Sequence, residues 1–386
     1  MEVFYTSPWV PPEWIKAHGL EPRGIWLARE LAGEPPPLAA GVCAFANAAV
    51  RLAEQQAGSA VVFTTHCDQL RRGFDGVANS APARLFLFNL PVTWQTPVAE
   101  LIYADELRRL GRFLIGLGGQ APALVELTEI MAQYDLARTR LLEAAVWCPA
   151  RMYAETVARF HLNGSVSLPP KHACPQPQQV QPEQHARKFP SVIPSKAAAG
   201  EASRALSEGL IPLALVGGPL PLAQMPLLDA IERVGGRVVL NATEAGERSL
   251  WPAPARTEIS AVGHSVHAAA TSVDQPRQHS PLTVSMPEAC GLKAALLARL
   301  AQGYLANFID VFQRPNTRLY DWLRPRLTAR GVRGIVLWHF VGCDLWRAEA
   351  QPMHDAFGLP VLLLDADEAA LRRNQGRLEA FLESLR

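Results

Sequence analysis

The sequence contains no Cys-x-x-Cys pair, so it encodes neither a zinc ribbon nor a thioredoxin-type redox site. Its six cysteines, Cys43, Cys67, Cys148, Cys174, Cys290 and Cys343, are scattered through 386 residues. That dispersion argues against a disulfide framework and leaves metal binding, catalysis or plain burial. Net charge is nearly absent too: 37 basic side chains stand against 36 acidic ones. With no net field to attract a polyanion, neither nucleic acid nor an anionic membrane is an expected partner. No stretch reaches the roughly 18 to 20 uninterrupted apolar residues a membrane helix needs. The first ten residues lack the basic region and apolar core of a secretory signal, so the expected location is cytoplasmic. No GxxxxGK-Ser/Thr segment is present, hence no P-loop ATPase, and no full G-x-G-x-x-G fingerprint argues for NAD or FAD.

Nearly half the residues (49%) are apolar and 19% are charged, a balance suited to a globular chain of more than one core. Strand candidates at 2–5, 23–27, 60–65 and 84–89 alternate with helix candidates at 12–18, 43–56 and 68–77. Residues 97–161 are helical throughout, with Leu107, Leu110, Phe113 and Leu114 at helical spacing. The run from 165 to 204 is crowded with proline, glutamine and alanine and reads as a linker. A second irregular stretch covers about 249–287. The alternation then resumes, with strands at 211–216, 237–240, 334–339 and 360–364. Helices are expected at 227–234, 291–312, 319–329, 346–357 and 369–385. The expected organisation is an α/β lobe at 1–96, a helical subdomain at 97–164, the linker at 165–204 and a second α/β lobe at 205–386. The βαβ rhythm of both ends predicts two Rossmann-like lobes with parallel sheets, helical insertions, and a site between them.

Three cysteines occupy equivalent places. Cys43 begins a helix, Cys67 follows the strand AVVFTT, and Cys343 follows GIVLWH just before a helix. Ligand sites of open α/β sheets lie beyond the carboxyl ends of the strands, and a helix start favours a thiolate. Three such thiolates converging between lobes would bind three irons of a cubane cluster; alternatively, each cysteine is a small buried hydrophobe. Cys148, Cys174 and Cys290 adjoin prolines or lie in the linker and are expected to ligate nothing.

The runs GVCAFANAA, VVFTTHCDQLRRGFD, LFLFNLPVTW and ELRRLGRFL occur in that order, followed by LALVGGPL, DAIERVGGRVVLN, RPNTRLYDWL, GIVLWHFVGCDLWRAE and LPVLLLDAD. Over about 8–120 and 205–386 this set resembles the 2-hydroxyglutaryl-CoA dehydratase D-component family, within the 2-hydroxyacyl-CoA dehydratase and benzoyl-CoA reductase group. The resemblance implies a [4Fe-4S] cluster on Cys43, Cys67 and Cys343, with the fourth iron open. It implies a lyase that dehydrates a 2-hydroxyacyl-CoA through a ketyl radical after ATP-driven electron injection. Benzoyl-CoA reductase-like acyl-CoA reduction, or a non-catalytic cluster-bearing electron-transfer subunit, are the other readings it allows. Implied partners are an acyl-CoA substrate, an ATP-dependent iron–sulfur activator protein, and a homologous second subunit or second copy. His66 and His339 stand near the motifs as candidates for proton transfer or a hydrogen bond to the cluster, against an ordinary loop or cap role. Asp68 and Asp344 suit helix starts, and Gly217-Gly218-Pro219 suits a tight turn or the approach of a ligand to backbone.

Overall fold

The computed structural model describes residues 1–27, 42–55, 58–78, 84–168, 209–251, 286–366 and 368–386. Two four-stranded parallel sheets organise them. The first is built from β1 (Glu2–Tyr5), β2 (Glu21–Gly24), β3 (Ala60–Thr64) and β4 (Arg84–Phe88), in the order β2-β1-β3-β4. The second uses β5 (Ile211–Gly217), β6 (Gly236–Ala242), β7 (Gly334–His339) and β8 (Val361–Asp365), in the order β6-β5-β7-β8. The two orders are the same permutation, so each sheet has a switch point between its first and third strand. These are the two Rossmann-like lobes expected from the alternation.

Local sequence accounts for most of this. The AVVFT run of β3 and the GIVLWH run of β7 are buried at every position, as central parallel strands covered on both faces must be. Between the strands of the first lobe lie α1 (Pro12–Ala17), α2 (Ala44–Gln55) and α3 (Asp68–Ala78). Then come α4 (Pro97–Gly116), α5 (Leu124–Ala144) and α6 (Ala150–Asn163), which form the expected helical region. The second lobe carries α7 (Pro226–Arg233), α8 (Met286–Ala301), α9 (Thr317–Ala329), α10 (Asp344–Ala348), α11 (Ala350–Phe357) and α12 (Glu368–Ser384).

Three expectations shift. The strand expected at 23–27 begins at Glu21 and ends at Gly24, because Ile25–Leu27 turns as a 3-10 helix that buries Trp26 against Tyr5. The helix expected to reach residue 312 loosens into a π-helix at Gln302–Asn307 and leaves helical geometry at Phe308. The helix expected at 346–357 is two helices meeting at Glu349, whose carboxylate accepts hydrogen bonds from Asn316 and Tyr320. From 169 to 204 the expected linker lies outside the described residues, as do 252–285 of the second irregular stretch. Cys174 falls there as well.

The lobes are joined by polar contacts as well as apolar packing. Arg138 of α5 is buried beside Glu13 of α1 and Asp135, donates to Tyr304 Oη of the π-helix at 2.8 Å, and lies 4.1 Å from the Trp251 ring centroid. A buried guanidinium tolerates such a place only with carboxylates and hydrogen-bond acceptors around it.

His161, at the end of α6, packs against Trp26, and its Nε2 stands 2.8 Å from Ser249 Oγ. Burial, helped by the Arg138 charge, pushes its imidazole down to about 3 from an ordinary 6.5. Between those values the unfolded chain binds the extra proton, so this group's contribution is complete above about pH 6.5 and is lost as the pH falls. Denaturant unfolding measured between about pH 7 and about pH 5 should show stability falling with a slope approaching 1.4 kcal/mol per pH unit from such a group. In a His161→Gln variant that part of the slope should vanish.

Candidate functional site

Each sheet presents the carboxyl ends of its strands toward one cavity, which with its opening to solvent spans about 540 Å³. Past β3 come His66 and Cys67; past β5, Gly218 and Pro219; past β6, Glu244; past β7, Phe340 and Cys343. Cys43 and Phe45 at the start of α2, with Asp310 and Val311 after the π-helix, complete much of the wall. The cavity therefore lies where both switch points face each other, the place at which open α/β sheets leave a crevice.

All three cysteines expected to act together line this cavity. Cys43 is buried, Cys67 and Cys343 are half-buried, and none is in a disulfide. Each immediately precedes a helix, α2, α3 or α10. Burial raises all three thiols, Cys67 and Cys343 to about 12. Cys67 is raised further by the charge of Cys43, and Cys343 by both of the others, so the three lie close enough to sense one another. Opposing this, backbone N–H groups of Phe45 and Ala46 favour the Cys43 thiolate, those of Gln69 and Leu70 the Cys67 thiolate, and that of Trp346 the Cys343 thiolate. Among the described residues no three His, Cys, Asp or Glu side chains converge on a single metal ion. Cys148 is buried away from this wall.

The two histidines separate. His66 lines the cavity, with Nδ1 2.7 Å from Thr64 Oγ1 and Nε2 3.8 Å from Glu244 Oε1. Burial pushes its imidazole down to about 4, leaving the ring neutral near pH 7. His339 is not part of the wall: its Nδ1 lies 3.0 Å from the Phe340 carbonyl oxygen and its Nε2 3.0 Å from Asp365 Oδ1 of β8. It closes β7 as the register partner of Asp365 on the edge strand β8. Asp68 pairs with Arg71 and Arg72 on the exposed surface of α3. Gly217 has φ +144°, and a Cβ there would lie 1.9 Å from the Trp338 carbonyl oxygen, so the turn after β5 requires glycine. Its neighbours Gly218 and Pro219 thereby reach the cavity wall.

Sequence reasoning missed the carboxylates. Glu244 is buried, accepts a hydrogen bond from Ser7 Oγ at 3.0 Å, and is held well above the ordinary carboxylate range by burial and the nearby Asp310 charge. Its NATEAGER context matches no catalytic pattern, and only the end of β6 brings it to the cysteines. Arg248, fully buried, offsets the rise at Glu244 only in part. The guanidinium donates to the carbonyl oxygens of Gly217, Ala242 and Ile309, pairs with Asp310 at 2.9 Å, and stacks 4.6 Å from the Trp346 ring centroid. An Arg248→Met variant strands the Asp310 carboxylate and three carbonyls. It should lose about 3 to 5 kcal/mol of stability, read as a lower denaturant midpoint.

No helix among the described residues is long and apolar enough to cross a membrane. No curated protein matches the sequence at a significant level. The family profile described as 2-hydroxyglutaryl-CoA dehydratase, D-component, matches residues 9–263 and 284–385, extending through the central region that the recognisable sequence runs leave uncovered. With nearly the whole chain and all three cavity cysteines inside that match, the protein belongs to the 2-hydroxyglutaryl-CoA dehydratase D-component family and is a component of a dehydratase-type enzyme.

Proposed function

We propose that this chain is the iron–sulfur subunit of a 2-hydroxyacyl-CoA dehydratase-like enzyme, with Cys43, Cys67 and Cys343 holding one [4Fe-4S] cluster. The observation that carries this reading is the meeting of three thiols, from three separate helix starts, on a single cavity. The donor set fits the group. Thiolates are the preferred ligands of iron–sulfur clusters, and three of them leave one iron open to a substrate. A cubane places each thiolate on a different iron, so convergence on one point is not required. The raised thiols fit as well, because burial and, to a lesser extent, their mutual repulsion disfavour bare thiolates, and cationic iron among them would offset both.

When bound, the cluster would supply a Lewis-acidic iron and a one-electron route for expelling hydroxide from carbon 2 through a ketyl radical of the thioester. The chain's own residues do the rest. Phe45, Leu70, Val311 and Phe340 make an apolar wall that keeps water from the acyl group. Glu244, poor in counter-charge, keeps a proton on its carboxyl near neutral pH and presents it inside the cavity, with Ser7 Oγ holding Oε1 in place. Gly218 lets a ligand approach bare backbone.

The reading carries its partners with it: an acyl-CoA substrate, an ATP-dependent iron–sulfur activator to deliver the electron, and a homologous second subunit or second copy. A reducing cytoplasmic setting suits cysteines kept as thiols.

Anaerobically purified or reconstituted protein should contain about four irons and four sulfides per chain, the content of one cubane. Cys43→Ala, Cys67→Ala and Cys343→Ala should each lower iron content, whereas Cys174→Ala should not. Folded, iron-free protein after anaerobic reconstitution would remove the proposal, and equal iron loss from Cys174→Ala would remove the ligand assignment.

A further inference from the structure

Two of the three thiols belong to the first lobe and one to the second, so their spacing depends on how the lobes are held across the cavity. One neutral side chain spans that gap. Gln69, the second residue of α3, lies two positions after Cys67. Its Oε1 accepts a hydrogen bond from the Cys43 backbone N–H, and its Nε2 donates to the Gly342 carbonyl oxygen at 2.6 Å. Gly342 directly precedes Cys343. A single amide is thus tied covalently close to one cysteine, bonded to the backbone of the second, and bonded to the residue before the third. Among the described residues no other side chain forms hydrogen bonds to the backbone at both Cys43 and Gly342.

The chemistry of the link is specific. It needs an acceptor at one end, a donor at the other, and no charge beside three thiolates; among common side chains of this length, only glutamine supplies all three. The Gly342 end is built to receive it. Gly342 has φ +85°, a conformation that turns its carbonyl toward α3, and a Cβ there would lie 3.4 Å from Gln69 Nε2. Gln69 is half-buried at the edge of the site, so it is not a packing residue whose loss would empty the core.

We propose that Gln69 is a positioning residue of the cysteine triad, a two-headed amide bridge that fixes the second lobe's Cys343 against Cys43 and Cys67 at the spacing one cluster requires. This rests on the reading that the three cysteines hold a cluster, and extends it to a residue that ligates nothing. Partners of this kind set the orientation of ligands, and their removal typically weakens metal retention by about 10- to 100-fold.

The test uses the full chain, reconstituted anaerobically with iron and sulfide, as wild type, Gln69→Ala, Gln69→Glu and Arg72→Ala. Arg72 is an exposed neighbour on the same helix, paired with Asp68, and serves as the control. Iron and sulfide per chain, the rate of iron release to a chelator, the electron paramagnetic resonance of the reduced cluster and its reduction potential are read beside circular dichroism. Gln69→Ala should release iron about 10-fold faster than wild type, with altered resonance and potential. Gln69→Glu, matched in size and still able to accept from Cys43, should also release iron faster, because it cannot donate to Gly342 and adds charge beside the thiolates. It decides the matter if Gln69→Ala fails to fold. Arg72→Ala should match wild type. Wild-type release, resonance and potential in a folded Gln69→Glu or Gln69→Ala variant would overturn the positioning role and leave the cluster intact. Failure of the wild type itself to take up iron would instead overturn the cluster reading.

Discussion

A single buried cation, Arg248, holds together the elements that make the cavity. Its guanidinium is fully removed from water and must therefore spend its donors on the protein. It does so on the last residues of β5 and β6, through the Gly217 and Ala242 carbonyls, and on Ile309 and Asp310 beyond the π-helix. Those contacts bring three chain segments, otherwise far apart in sequence, to one side of the site. The stack on Trp346 adds the helix that Cys343 opens. Burial and the Asp310 charge raise the proton affinity of the Glu244 carboxyl, which the Ser7 hydrogen bond and the Arg248 charge offset only in part.

The site is consequently an acidic place that resists being charged. Three thiols, two carboxyl groups and a neutral imidazole share a cavity of limited polarity, and burial works against the ionised form of Glu244 and of every cysteine. The proposed cluster, with its cationic core, would convert the mutual repulsion of thiolates into shared attraction. The two lobes contribute unequally: two thiols and His66 come from the first, while one thiol, both carboxylates and the Arg248 cation come from the second. Neither lobe alone has a complete set.

The strands were legible because burial on both faces leaves an unambiguous mark, as in AVVFT and GIVLWH, with glycine or proline near their ends. The helical block from α4 to α6 was legible for the same reason at a different period. The 3-10 turn at Ile25–Leu27 was not, since its apolar residues read equally well as a strand until Trp26 is seen packing on Tyr5 and His161. The break at Glu349 was hidden too, because a glutamate is a good helix former and only its contacts with Asn316 and Tyr320 mark the turn.

Sequence alone determined that Cys43, Cys67 and Cys343 stand at helix starts and that the latter two follow central strands, because those features depend on residues within a few positions. It also determined the family, through ordered runs that survive without reference to contacts. Only the tertiary structure decided that the three positions border one cavity, that His66 enters it while His339 pairs with Asp365 of β8, that Glu244 and Asp310 belong to it, and that Gln69 bridges its edge. Those relations join residues up to several hundred positions apart, and no local pattern records them. They follow from parallel strands that send every carboxyl end the same way, and from two sheets that both turn those ends to a shared crevice.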